Sequence, residues 1–150
     1  MTQDPVILGY LGRALSFEFS AVQQYLSLAR MLSLRGLPQA GDKFRLEAQE
    51  EMEHAERIIG RMLAVGVAPS ASILRPARLD GSLSELIQHT VKLETEIVNF
   101  YAQAVQYCQH AQDHENRIFF EALLTEEQQH AAGLQEWWQE IAGEQLPTVK

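Results

Sequence analysis

The sequence predicts an all-α fold: four long helices arranged as two antiparallel hairpins joined by a long crossover loop. Three observations predict it. Apolar residues recur three and four positions apart along four separate stretches. Short turns separate the first stretch from the second and the third from the fourth, whereas a segment rich in Gly and Pro separates the second from the third. A set of residues in the first half of the chain recurs in the second half at a constant offset of 76 positions.

The first helix is expected over about 5–35, with Asp4 as its cap, Pro5 at the first helical position and Gly36 to end it. Its apolar face reads Leu11, Leu15, Glu18, Val22, Tyr25, Ala29 and Leu32. The second helix is expected over about 38–65, stopped by Gly66, with a face running Phe44, Glu47, Glu51, His54 and Ile58. The third opens near Ser82, where Ser82 and Glu85 have capping-box spacing, and runs to about His110. Its face holds Leu83, Ile87, Thr90, Glu94, Ile97, Tyr101, Ala104 and Cys108. The fourth is expected from about 113 to 142, near Gly143, with Pro147 opposing continuation. Its face holds Phe120, Leu123, Glu127, His130, Leu134, Trp137 and Ile141.

Residues 66–81, with Gly66, Pro69, Pro76 and Gly81, are expected to form the crossover loop. A helix of about 28 residues is roughly 42 Å long, and sixteen extended residues reach roughly 53 Å. The loop is therefore long enough to return the chain along a whole helix. The expectation is one domain over residues 1–150, with two hairpins related by a pseudo-twofold axis.

Six ionisable residues sit on these apolar faces. Glu18 is followed by Glu51 and His54, and Glu94 by Glu127 and His130, each pair of counterparts 76 positions apart. Tyr25 and Tyr101 keep the same offset. One Glu-x-x-His occurs by chance in many Glu-rich helices, but two copies, each with a distant Glu at equal spacing, are what a two-metal site between similar halves requires. Nitrogen and oxygen donors of this kind suit iron or manganese, and carboxylates can bridge two such ions. Burying four uncompensated carboxylates costs more than a small domain can spare. The competing reading pairs these groups with one another or with arginine, yet no Lys or Arg lies on the first, third or fourth face. A Glu from each of two helices and a Glu-x-x-His from each of the other two is a known ligand pattern of helix bundles.

Composition narrows the classes. The net charge of −8 argues against a nucleic-acid partner. No apolar run is long enough to span a membrane, and residues 1–10 lack the basic-then-apolar pattern of a signal peptide, so a cytoplasmic location is expected. The single cysteine, Cys108, excludes an internal disulfide and a four-cysteine metal site. His89, His110 and His114 read as surface or turn residues, and Trp138 as packing at the edge of the fourth face.

On these motifs the chain resembles the bacterioferritins, haem-containing ferritins of bacteria, over about residues 5–142. The resemblance rests on Gln24-Tyr25, Ala29-Arg30-Met31, Glu51-Met52-Glu53-His54-Ala55 and Glu126-Glu127-Gln128-Gln129-His130. It implies a ferritin-like bundle and a ferroxidase: Glu18 and His54 on one iron, Glu94 and His130 on the other, Glu51 and Glu127 bridging, and Tyr25 beside the centre. It also implies haem b shared by two subunits, each contributing Met52. By spacing alone Met52 lies about 100° round the helix from Glu51, facing outward. The implied assembly is a homodimer through haem within a 24-subunit shell, with a ferredoxin as electron donor for iron release.

Two departures from the family pattern stand out. Only seven residues follow Gly143, so no fifth C-terminal helix is expected. Leu46 occupies a position where some members carry a histidine of an inner-surface iron site, leaving Glu47, Glu50 and Glu126 as nearby acidic groups. The expected function is oxidation of Fe(II) to Fe(III) with O2 or H2O2, coupled to iron storage. Two alternatives stay open: a cage-less di-iron peroxidase or oxidase resembling rubrerythrin, although a lone cysteine excludes that family's rubredoxin module, and a non-enzymatic haem- and iron-buffering dimer.

Overall fold

The structure, a computed structural model, describes residues 4–71 and 73–145. Four α-helices account for most of them: α1 (Pro5–Leu34), α2 (Pro38–Ala64), α3 (Leu83–His110) and α4 (His114–Gln145). No strand occurs among the described residues. The expected helix limits hold to within three residues. The largest departure is at the end of α4, which continues through Gly143 to Gln145. A glycine in a helix costs only about 1 kcal/mol, so Gly143 alone does not stop it. Pro147 lies outside the described residues.

The chain divides into two compact units, Met1–Leu79 and Asp80–Lys150. In the first, α1 packs on α2. The Asp4 carboxylate accepts from the Val6 amide at 2.8 Å, and Pro5 occupies the first turn, so α1 starts where the sequence places it. Buried Leu11, Leu15, Leu28, Leu32, Phe44 and Ile58 fill the space between the helices, each worth about 1.5–3 kcal/mol of apolar burial. The α2 backbone approaches α1 most closely at Gly41, where an added Cβ would lie 2.7 Å from the Ala29 carbonyl oxygen and 2.8 Å from Ser33 Oγ.

In the second unit α3 packs on α4. The capping box forms as its spacing predicts: Ser82 Oγ accepts from the Glu85 amide and Glu85 Oε1 accepts from the Ser82 amide, both at 3.2 Å. These bonds from Ser82 hold the exposed Glu85 carboxyl below its ordinary range. Asp113 caps α4, accepting from the Asn116 amide at 3.1 Å. Leu86, Ile87, Ile97, Phe100 and Phe120 are buried here.

The two hairpin turns are built alike. The Leu37 amide donates to the Leu32 carbonyl at 2.8 Å, and 76 positions later the Asp113 amide donates to the Cys108 carbonyl at 2.9 Å. This six-to-one bond needs a left-handed residue just after the helix. Gly36 supplies it in the first turn (φ 82°) and Gln112 in the second (φ 56°). The sequence marks the first turn with glycine and gives no such mark for the second.

The connection after α2 is not a free loop. The Ile73 and Arg75 amides donate to Ser16 Oγ and Ser20 Oγ at 3.3 and 3.1 Å. Gln23 donates to the Arg75 carbonyl at 3.2 Å, and Gln24 pairs with both the carbonyl and the amide of Arg78 at 2.7 Å. The segment thus runs beside α1 in the same direction, its backbone satisfied by polar side chains on one stripe of that helix. The expected crossing is therefore laid down against α1 through residue 78.

Two substitutions test this account. Gly41→Ala should destabilise the protein by about 1–3 kcal/mol, because a backbone oxygen cannot step aside. Gln112→Gly should stabilise it by up to about 1 kcal/mol by relieving a left-handed residue with a Cβ. Urea midpoints of the two variants measure both.

Candidate metal centre

Each unit carries half of the sequence-predicted donor set. In the first, Glu18 lies midway along α1 and Glu51 and His54 lie on α2. All three face the interior, with exposures of 0%, 0% and 2%. Their ligand atoms fall within 4.8 Å of one another. His54 Nδ1 is 3.5 Å from Glu18 Oε2 and 3.6 Å from Glu51 Oε1. The i,i+3 spacing stacks Glu51 and His54 on one side of α2, and the antiparallel crossing of α1 brings Glu18 to meet them.

In the second unit Glu94 on α3 faces Glu127 and His130 on α4. Both carboxylates are fully buried and His130 is 13% exposed at its side chain. These donors also lie within 4.8 Å of one another, and His130 Nδ1 is 3.9 Å from Glu127 Oε2. In both units the histidine turns Nδ1 toward carboxylate oxygen. With its proton on Nε2, a neutral imidazole in that orientation would offer its Nδ1 lone pair to a cation on the carboxylate side.

The fit to a cation follows from the donor chemistry. The Oε2 atoms of Glu18, Glu51, Glu94 and Glu127 are buried and accept no hydrogen bond. Each half therefore offers carboxylate oxygen and imidazole nitrogen within the reach of one cation. Divalent cations offset such charge where water cannot reach.

A buried tyrosine follows each of Glu18 and Glu94 by seven positions. Tyr25 and Tyr101 have no exposed surface. The Tyr25 ring lies 6.1 Å from the Phe44 ring at 37°, and the Tyr101 ring 6.3 Å from the Phe120 ring at 38°. Phe44 and Phe120 are themselves 76 positions apart, so the internal repeat extends to the aromatic packing of both units.

Met52 points out of its hairpin, 45% exposed, as the 100° rotation from Glu51 predicts. Leu34 is 76% exposed and Leu46 is exposed as well. His110 and His114 lie exposed at the α3–α4 turn, and His89 is half-buried on α3. Trp137 is buried and Trp138 half-buried. Sequence reasoning missed the work of Ser16, Ser20 and Gln23 in fixing the segment beside α1. Polar residues four and seven positions apart on α1 were a signal, but their partners in an irregular segment have no periodicity to reveal them.

A family model described as a ferritin-like domain matches residues 8–143. The bacterioferritin of Rhodobacter capsulatus is 32% identical over 130 residues, covering 87% of this chain and 81% of the relative. Those of Mycolicibacterium paratuberculosis and Brucella melitensis are each 28% identical over 130 residues, covering 87% of this chain and 82% and 81% of the relatives. A solved structure of the Rhodobacter capsulatus protein, described with a metal-free dinuclear site and its haem iron on a crystallographic special position, superposes with a TM-score of 0.85. The identity is 31%, with 91% of this chain and 85% of that chain covered. No helix among the described residues is long and apolar enough to cross a membrane. The fold is the ferritin-like four-helix bundle, and the chain belongs to the bacterioferritins of the ferritin-like family.

Proposed function

We propose that the chain is a ferroxidase and iron-storage protein whose two half-sites, within one domain, form a single dinuclear iron centre. The observation that carries this reading is the doubled, buried set of two carboxylates and one histidine. Glu18 and His54 hold one ferrous ion, Glu94 and His130 the other, and Glu51 and Glu127 bridge them. Four carboxylates balance two divalent ions, and the histidines bind as neutral bases. Iron is the substrate: each ferrous ion gives up one electron, and O2 or H2O2 accepts the pair. The protein supplies fixed positions and a dry surround, with Tyr25 packed against the centre. The ferric product passes into a mineral store or remains as a working pair.

Haem b belongs on the outward face of α2. The exposed Met52 thioether there pairs with its counterpart in a second subunit, and soft sulfur suits haem iron. Exposed Leu34 and Met52 suit a symmetric interface. The assembly is a homodimer around haem within a 24-subunit cytoplasmic shell. A ferredoxin would return electrons for iron release.

Glu18→Ala and Glu94→Ala should each lose fast ferrous oxidation. Changes outside the ligand shell of a metal site already cost 10–100-fold, so a lost ligand should cost at least about 100-fold. Both variants should keep or gain thermal stability without metal, because one buried charge is gone. Stopped-flow absorbance and calorimetry read the two effects, and unchanged kinetics in both variants would sink the assignment.

Met52→Leu should leave iron oxidation intact and abolish haem binding, read as loss of the haem absorption band on reconstitution. A leucine variant that binds haem normally would remove Met52 as the axial ligand.

Light scattering at neutral pH should give a mass about 24 times the 17.0 kDa chain. A species that stays dimeric across concentration would rule out the shell and a mineral store.

A further inference from the structure

From the internal repeat we infer that Tyr25 and Tyr101 are a matched pair of redox-active tyrosines, so that the centre holds one phenol donor per half. The inference rests on the dinuclear iron reading above. Three observations carry it. Tyr101 follows Glu94 by seven positions, as Tyr25 follows Glu18. Both phenols are fully buried, whereas the chain's other two tyrosines, Tyr10 and Tyr107, are only partly so. Both rings are backed by a phenylalanine at nearly equal distance and tilt, 6.1 Å and 37° against 6.3 Å and 38°.

The geometry suits electron donation. Seven residues of helix span roughly 10.5 Å. Long side chains on a helix lean back toward its N-terminus, the direction in which the glutamate of each half lies along the chain. Full burial beside a phenylalanine keeps water from a one-electron-oxidised ring.

Two donors per centre change what one turnover can do. Reduction of O2 to two waters takes four electrons and four protons. Two ferrous ions supply two electrons. Tyr25 and Tyr101 each supply one electron and the phenolic proton, and solvent supplies the other two protons. The products are two ferric ions, two tyrosyl radicals and two waters, with no peroxide released. With a single tyrosine the count stops at three electrons and leaves a partly reduced oxygen species.

The test mixes anaerobically iron-loaded protein with dioxygen, freezes it within milliseconds and reads the radical by electron paramagnetic resonance, alongside released peroxide. The wild type should give up to two tyrosyl radicals per centre and little peroxide. Tyr25→Phe should keep about half the signal, and Tyr25→Phe/Tyr101→Phe should have none, with peroxide rising as the signal falls. Ring-deuterated tyrosine should narrow the Tyr25→Phe signal, assigning it to tyrosine without relying on the double variant. No radical in Tyr25→Phe, no narrowing on deuteration, or an undiminished signal in the double variant overturns the inference. Fast ferrous oxidation persisting in that case leaves the ferroxidase reading standing. Loss of fast oxidation in the wild type itself would overturn both.

Discussion

Four glutamates with no exposed surface stand among the apolar residues of two helical hairpins, and this placement constrains everything else. A buried carboxylate needs a compensating positive charge, a proton or a set of hydrogen bonds. Two imidazoles turn Nδ1 toward these glutamates, and the grouped carboxylate and imidazole atoms lie within 4.8 Å of one another. A pair of divalent cations meets the need with matching charge and matching donor atoms. Helix length, antiparallel pairing and register then read as the means of holding six side chains where such a pair would bind.

The register is itself duplicated. The bond that closes each hairpin, from Leu37 to Leu32 and from Asp113 to Cys108, recurs 76 positions on, as do the ligands and the tyrosine–phenylalanine pairs. One hairpin plan used twice yields a set of donors balanced between halves. The repeat is broken where demands differ. Gly41 is needed where α2 meets the Ala29 carbonyl, and its counterpart is Arg117, which is half-buried and pairs with Glu121 at 2.8 Å. Gly36 in one turn is answered by Gln112 in the other.

Much of this was legible in the sequence because it is periodic. Apolar spacing located the helices, Asp4 and Ser82 with Glu85 marked two starts, and glutamates on apolar faces marked themselves as buried carboxylates and candidate metal donors. What was not legible has no period. The left-handed turn at Gln112 carries no glycine to announce it. The contacts of Ser16, Ser20, Gln23 and Gln24 with residues 73–78 join a helix to an irregular segment more than fifty positions away. The end of α4 ran past Gly143 because a single glycine is a weak stop. Family likeness, rather than spacing, suggests the role proposed for Met52, since an outward methionine on a helix has no intrinsic mark of a ligand.

The most direct measurement of the central claim is anomalous diffraction from crystals equilibrated with ferrous iron in the absence of oxygen. Two iron peaks per subunit, about 3.5–4 Å apart and bridged by Glu51 and Glu127, with Glu18 and His54 on one and Glu94 and His130 on the other, is the predicted result. A single iron, irons bound by only one hairpin's donors, or glutamates that remain bound to one another without metal would contradict it.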